Sequence, residues 1–364
     1  MNSGRRPDLL VAIPDLNGGG AERVVVNLAN RLVRRGFRVS IAIFAQKGPL
    51  WSKLDLGVAV TNLGTGTLRR SLRPLLEEVH RTCPRVIFST LGYVNVAILA
   101  MRSLFPRDTR VWIREANLPS ISLANNRGSW LMHLAYQVLY RRADLVICSS
   151  ERMAGELRTD FAVPSVAIRM LPNPVDEDEI RDRAGGHQGR AGGGRLFVGA
   201  GRLVWQKGFD RLLRFMAALP DSDSRLTVLG EGPQAEELLR LAADLGIAER
   251  VSFEGFVDNP WACMAIADAL LLPSRWEGMP NVALEALACG LPVIATPESG
   301  GIVELAAASA PGAVSVAKAG PDFIAAMNAI VPNRASDLRP SLLPREFHLD
   351  AVVEKFAGWL DDAS

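Results

Sequence analysis

The chain has 364 residues, 48% of them hydrophobic and 22% charged, too many for one ordinary core and fitting for a soluble protein of two domains. No apolar run approaches a membrane span, since Tyr93 to Met101 is short and interrupted by Asn95; the four cysteines and four histidines share no metal-ligand spacing, which argues against a zinc site. The net charge of +2 hides a split: residues 1–175 carry 24 basic against 12 acidic side chains, residues 176–364 carry 17 against 27, and the two halves are expected to meet different partners.

Leu9 to Pro14 is an apolar run of strand length, unlike the core of a signal peptide, so the chain is expected to stay in the cytoplasm. Gly18-Gly19-Gly20 follows it and opens a helix with apolar periodicity over Ala21 to Arg35. Without side chains there, backbone amides can approach a phosphate or sugar closely; a plain flexible turn is the other reading. The spacing is not Gly-x-Gly-x-x-Gly, so a nicotinamide is not indicated, and no cofactor is expected. Val39 to Phe44, Val86 to Ser89, Arg110 to Ile113 and Leu145 to Ser149 continue as strands. Such alternation implies a mostly parallel sheet covered by helices on both faces, with ligands bound beyond the carboxyl ends of the strands.

From Asp176 to Gly194 the chain turns polar and glycine-rich, which reads as a linker between a first domain over 1–175 and a second over 195–345. In the second, strands at Leu196 to Ala200, Arg225 to Gly230, Val251 to Glu254, Ala269 to Pro273 and Pro292 to Thr296 alternate with helices at Gly208 to Ala218, Gln234 to Leu245, Trp261 to Ile266 and Asn281 to Cys289. The tail, 346–364, has Val352, Val353, Phe356 and Leu360 at helical spacing and reads as a helix packed on a domain face.

The stretch Pro273 to Thr296 holds the most information. Pro280 suits the first turn of a helix and Gly290 the position just past its end, so Glu277 sits in the loop before the helix and Glu285 within it. At about 1.5 Å of rise per residue their carboxylates would lie roughly 10 Å apart, the span from a sugar across a diphosphate to a ribose. The helix N-terminus between them aims amides at phosphates. The plainer reading is a pair of solvated acids at a helix end.

This stretch resembles the donor-site signature of the family 4 retaining glycosyltransferases (glycosyl transferases group 1). Gly18 to Arg23 is similar to that family's first loop, Pro172-Asn173-Pro174-Val175-Asp176 to its interdomain segment, and Gly201 to Asp210 to its phosphate-binding segment. The resemblance implies an α/β protein of the GT-B fold, two Rossmann-like doubly wound parallel-sheet domains facing a central cleft, with the acceptor in the first and a nucleotide-diphospho-sugar in the second. It implies that Glu277 contacts the donor sugar and Glu285 the ribose. Gly18, Gly19, Gly20, Gly278, Met279, Asn281 and Val282 line the donor, and the backbone at Phe256-Val257 holds the base. It also implies that the last helix crosses back to the N-terminal domain.

A diphosphate brings about two negative charges, and no acidic motif stands where it could hold a cation against them: Asp176 to Asp178 falls in the linker and Asp221 to Asp223 before a strand. Arg202 and Lys207 are left to neutralise it without a metal, in the role that the resemblance also gives them; Arg202 as a mere strand-end charge is the alternative. Many relatives have a histidine after the strand at Val111 to Ile113. Here Arg114-Glu115-Ala116-Asn117 stands instead, and Glu115 is either a catalytic contact or a structural acid.

No carboxylate nucleophile is evident, so the resemblance favours front-face attack in which the leaving diphosphate helps deprotonate the acceptor. The expected reaction is transfer of a hexose or N-acetylhexosamine, from a UDP-sugar rather than a GDP-sugar, to a glycan or lipid-linked acceptor. No nucleic acid is expected as partner. The basic half, with Arg34, Arg35, Arg69, Arg70 and Arg73, would face anionic lipid at the inner membrane surface, unless those residues simply line solvated helix faces. The competing readings are a non-catalytic nucleotide-sugar-binding scaffold and an epimerase of the same fold.

Overall fold

The computed structural model describes residues 6–17, 19–45, 48–64, 66–124, 129–185, 193–333 and 337–363. The chain divides into two compact units, residues 1–174 with 349–364, and residues 175–348.

The sheet of the first unit is built from β1 (Leu9–Ile13), β2 (Val39–Ile43), β3 (Ala59–Asn62), β4 (Val86–Ser89), β5 (Arg110–Arg114), β6 (Leu145–Cys148) and β7 (Ile168–Met170). All pairings are parallel, in the order β3-β2-β1-β4-β5-β6-β7. Side chains alternate across a strand, and β1 shows the result: Leu9, Val11 and Ile13 enter one apolar cluster, Leu10 and Ala12 the other. Burial on both faces explains why the central strands read as unbroken apolar runs.

The tail helix Leu349–Asp362 belongs to this unit. Phe356 stands edge-on to Phe88 and Trp112, with ring centroids 5.6 Å apart in both cases. Together with buried Val352, Val353 and Leu360, it completes the cluster around the helix Gly20–Arg34. Burial of each such side chain contributes about 1.5–3 kcal/mol.

The second unit has β8 (Leu196–Ala200), β9 (Arg225–Leu229), β10 (Val251–Gly255), β11 (Ala269–Leu272), β12 (Val293–Ala295) and β13 (Val314–Val316), all parallel, in the order β10-β9-β8-β11-β12-β13. Its entering and leaving segments are tied together, with the Val175 amide donating to the Phe347 carbonyl at 2.9 Å.

The linker expected over 176–194 does not hold for its first half. Glu177–Ala184 is a helix whose Asp176 cap accepts from the Glu179 amide, and Ile180 and Ala184 bury against the second core. An aspartate cap with three acids in the first turn stabilises a helix start, which outweighs the polar composition. The glycine-rich positions 186–192 lie outside the described residues. The compact unit accordingly begins at Val175 and runs to His348, beyond both ends of the expected 195–345.

Candidate active site

In both sheets the strand order reverses next to the first strand of the unit, between β1 and β4 and between β8 and β11. Chains leaving such neighbours diverge in opposite directions and open a crevice at the carboxyl ends. The segment after β8 carries Arg202 and Lys207, and the segment after β11 carries Glu277.

Tertiary structure brings these two segments together. Lys207 Nζ donates to Glu277 Oε1 at 2.5 Å, and Ser274 Oγ donates to the same oxygen at 2.8 Å. Glu277 is only 6% exposed. Among the described residues its other oxygen, Oε2, accepts nothing. Arg275 holds the loops in register: it chelates Asp210 at 2.8 and 2.7 Å, donates to the Trp205 carbonyl at 2.7 Å, and stacks 3.2 Å from the Trp205 ring centroid. Arg202 is exposed, and its side chain meets no partner among the described residues.

Glycine permits these approaches at two points. Gly208 has φ +70°, and a Cβ there would stand 2.2 Å from the Pro273 carbonyl oxygen; Gly300 has φ +70°, and its Cβ would stand 2.1 Å from the carbonyl oxygen of Gly278. Both combine a left-handed backbone with a close backbone contact that no side chain tolerates.

The helix after Glu277 spans Asn281–Ala288, with Pro280 as its N-cap and not in its first turn. Gly290 (φ +72°) donates to the Leu287 carbonyl and Leu291 to that of Ala286, both at 2.9 Å, a double closure that ends the helix. Asn281 and Val282 are half-buried at its start, Met279 is buried, and the Gly278 carbonyl accepts from the Gly301 amide at 2.7 Å. Glu285 is half-buried, and its Oε2 accepts from Trp261 Nε1 at 3.2 Å. Val257 packs on the core, while the exposed Phe256 donates its amide to Glu231 Oε1 at 3.3 Å.

In the first unit Gly18 lies outside the described residues. Gly19 is the N-cap of the helix that Gly20 begins. Across the crevice from that loop, burial raises the pKa of Tyr93, reinforced by the charges of Asp15 and Glu22.

Glu115 follows β5 and is 3% exposed. Its Oε1 accepts from Tyr140 Oη and from Asn95 Nδ2 at 3.0 Å; Asn95 Oδ1 in turn accepts from Ser89 Oγ at 2.6 Å. Tyr136 stacks on Tyr140 with ring centroids 4.1 Å apart. Burial pushes the Glu115 carboxyl up to about 7, against the opposing pull of the Tyr140 and Asn95 hydrogen bonds. Arg114 is buried too, donating to Asn173 Oδ1 and, at 3.3 Å, to Thr90 Oγ1; burial lowers its pKa to about 10.

The shift at Glu115 has a sign. The folded protein keeps this proton where the unfolded chain, near 4.5, has lost it, so the stability this carboxyl contributes falls as pH rises from about 4.5 to about 7 and changes no further above that. Over that window the loss is about 3 kcal/mol. In Glu115→Gln, thermal melting across pH 4.5–8 should lose this component of the slope; an unchanged slope would reject the protonated carboxyl.

Sequence reasoning singled out Lys207 and Glu277 but not Ser274, Asp210, Arg275 or Trp261, and in the first unit not Asn95, Tyr136 or Tyr140. Ser274 and Arg275 lie within Pro273 to Thr296; Ser274 meets Glu277 three positions on, but the partners of Arg275 stand 65 and 70 positions away and carry no local signal.

Residues 182–341 match the family model described as glycosyl transferases group 1, and residues 18–179 match that of glycosyltransferase family 4. Together these cover nearly the whole chain. It belongs to the family 4 glycosyltransferases of the GT-B fold.

Among relatives of this glycosyltransferase is the N-acetylgalactosamine-N,N'-diacetylbacillosaminyl-diphospho-undecaprenol 4-alpha-N-acetylgalactosaminyltransferase of Campylobacter jejuni, 32% identical over 57% of this chain and 56% of that protein. The match thus spans about half of that relative. The lipopolysaccharide core biosynthesis glycosyltransferase LpsD of Rhizobium meliloti is 28% identical over 78% of this chain and 76% of its own. The GDP-mannose-dependent alpha-(1-6)-phosphatidylinositol monomannoside mannosyltransferase of Mycolicibacterium smegmatis is 36% identical over 44% of this chain and 46% of its own. In three dimensions, Anabaena Alr3699/HepE in complex with UDP superposes with a TM-score of 0.76 over 97% of this chain and 99% of that one, at 18% identity. That likeness concerns the fold.

Proposed function

We propose that the chain transfers a hexose or N-acetylhexosamine, with retention, from a nucleotide-diphospho-sugar to a lipid-linked glycan acceptor in cell-surface glycan synthesis. The Lys207–Glu277 contact at the crevice of the second unit carries this reading. Its cation and the unpartnered Arg202 supply charge for a diphosphate, and the free Oε2 of Glu277 suits a sugar hydroxyl. The start of the helix Asn281–Ala288 adds amide dipoles beside them.

With Glu277 Oε1 engaged by Lys207 and Ser274, this carboxylate favours binding over nucleophilic attack. The C1–phosphate bond then breaks as the acceptor oxygen bonds C1 on the same face, and the acceptor proton passes to the departing phosphate oxygen. Arg202 and Lys207 stabilise the charge that develops there, so no metal is required. Burial of Glu115 favours a positioning role, through Tyr140 and Asn95, over direct contact with substrate. UDP is preferred as the carrier, in line with the UDP complexes of structural neighbours. Relatives whose names give diphospho-undecaprenol and phosphatidylinositol acceptors support a lipid-linked one here, and with it a place for this chain at the inner membrane surface. No helix among the described residues is long and apolar enough to cross a membrane.

The test is a panel of UDP- and GDP-sugars on purified protein, with and without EDTA, read as donor hydrolysis and as binding. UDP-sugars should bind and hydrolyse unaffected by EDTA. Glu285→Ala should weaken donor binding by about 1–3 kcal/mol through loss of a charge-assisted ribose contact. Unchanged affinity would refute the ribose assignment, and abolition by EDTA with rescue by manganese would refute metal independence.

A further inference from the structure

The helix Ser129–Leu139 is apolar on two sides. Inward, Met132, Tyr136 and Leu139 pack on the core of the first unit, and the His133 ring lies 4.7 Å from that of Phe161. Outward stand Trp130, Leu131, Leu134 and Val138, exposed by 72%, 58%, 48% and 52%. Positions 130, 134 and 138 recur at the four-residue spacing, so they form one row about 12 Å long with Leu131 beside it. The outer face of a helix on a globular protein is ordinarily polar. This one ends in Tyr140, Arg141 and Arg142; both arginines are exposed, and neither is paired among the described residues.

An interfacial helix in a membrane has this make-up: a tryptophan and leucines on one face, free cations at its edge, and too little length to span. The charge of the whole unit agrees, with 25 basic against 16 acidic side chains over residues 1–174 and 349–364. Arg34, Arg35, Arg69, Arg70 and Arg73 are the other basic candidates, but Arg34 is paired with Asp55 at 3.1 Å, Arg35 donates to the Asp350 carbonyl at 3.3 Å, and the helix of the other three, Leu68–Thr82, turns Leu72, Leu75 and Leu76 to the core, with Arg73 paired to Glu77 at 2.9 Å. A second copy of the chain is the poorer occupant, since four side chains present a few hundred Å2, short of the roughly 800 Å2 that each partner buries in a stable interface.

We propose that the helix Ser129–Leu139 docks the chain on an anionic lipid surface, with Trp130, Leu131, Leu134 and Val138 entering the headgroup boundary and Arg141 and Arg142 meeting lipid phosphates. This rests on the lipid-linked acceptor proposed above and gives it a direction. The helix that presents the apolar row outward stacks Tyr136 on Tyr140, which donates to Glu115 at the carboxyl end of β5. Lipid contact and the ligand end of the first sheet are thus joined through this helix and the turn Tyr140–Arg142 that follows it.

The full chain is tested by co-sedimentation with vesicles of phosphatidylcholine alone or with phosphatidylglycerol. Binding should need phosphatidylglycerol and decline with salt. Trp130→Ser with Leu134→Ser should weaken it at least tenfold without lowering the melting temperature. Arg141→Glu with Arg142→Glu should weaken it and remove most of the salt dependence. Brominated acyl chains should quench the wild type more than Trp130→Phe. Unchanged vesicle binding in both double variants, quenching that ignores Trp130→Phe, or a dimer dissociated by Trp130→Ser would each overturn the proposal. Vesicle binding through this helix by a protein that transfers sugar to no lipid-linked acceptor would uphold docking and refute the acceptor reading instead.

Discussion

Lys207→Ala should lower kcat by about two orders of magnitude, roughly 3 kcal/mol of barrier, with a smaller change in KM, because the charge on the leaving diphosphate grows toward the transition state. The same change should also destabilise the second unit. Glu277 is 6% exposed and would keep only Ser274 as a partner, and stranding a buried carboxylate costs about 3 kcal/mol or more. The two effects separate in Lys207→Ala with Glu277→Gln, which should recover the melting temperature but not turnover. Arg202→Ala, at an exposed and unpaired side chain, should reduce turnover with no change in melting. Steady-state kinetics with thermal melting checks all of them, and near-normal kcat in both single variants would refute the assigned roles of Lys207 and Arg202.

Gly208→Ala should be among the most damaging substitutions outside the core. The left-handed backbone (φ +70°) costs a residue with a Cβ about 1–2 kcal/mol, and here the Cβ would also stand 2.2 Å from the Pro273 carbonyl oxygen. That oxygen belongs to the backbone of the loop carrying Ser274, Arg275 and Glu277, so the loop must move. A total loss of about 3 kcal/mol or more is expected, with donor affinity lost alongside stability. Gly246→Ala is the control: its φ is +68°, yet a Cβ there has nothing within 4 Å. It should show the backbone cost alone and leave donor binding intact. Equal losses in the two variants would refute close packing of the loops as the cause.

The central strands were legible because burial on both faces demands continuous apolar runs, as in Leu9 to Ile13 and Ala269 to Leu272. The edge strands β3, β7 and β13 were not, being three or four residues long and partly exposed, so neither periodicity nor apolarity marks them. Glu177–Ala184 was hidden by its polarity, since only Ile180 and Ala184 of its eight residues are buried.

At the site, the sequence by itself determined which residue types are present and which local shapes they permit: the glycines at 208 and 290, the helix start after Pro280, Glu277 in the loop before it. These depend on backbone preferences of neighbouring residues, which act over a few positions. Tertiary structure alone decided that Lys207 meets Glu277, that Arg275 clamps Asp210 against Trp205, and that Glu115 is enclosed by Tyr140 and Asn95. The reason is physical: contacts across 20 to 70 positions depend on the strand order, which places β8 beside β11 and β4 beside β5. The titration of a buried carboxyl then depends on the enclosure that results, and no local stretch of residues encodes that.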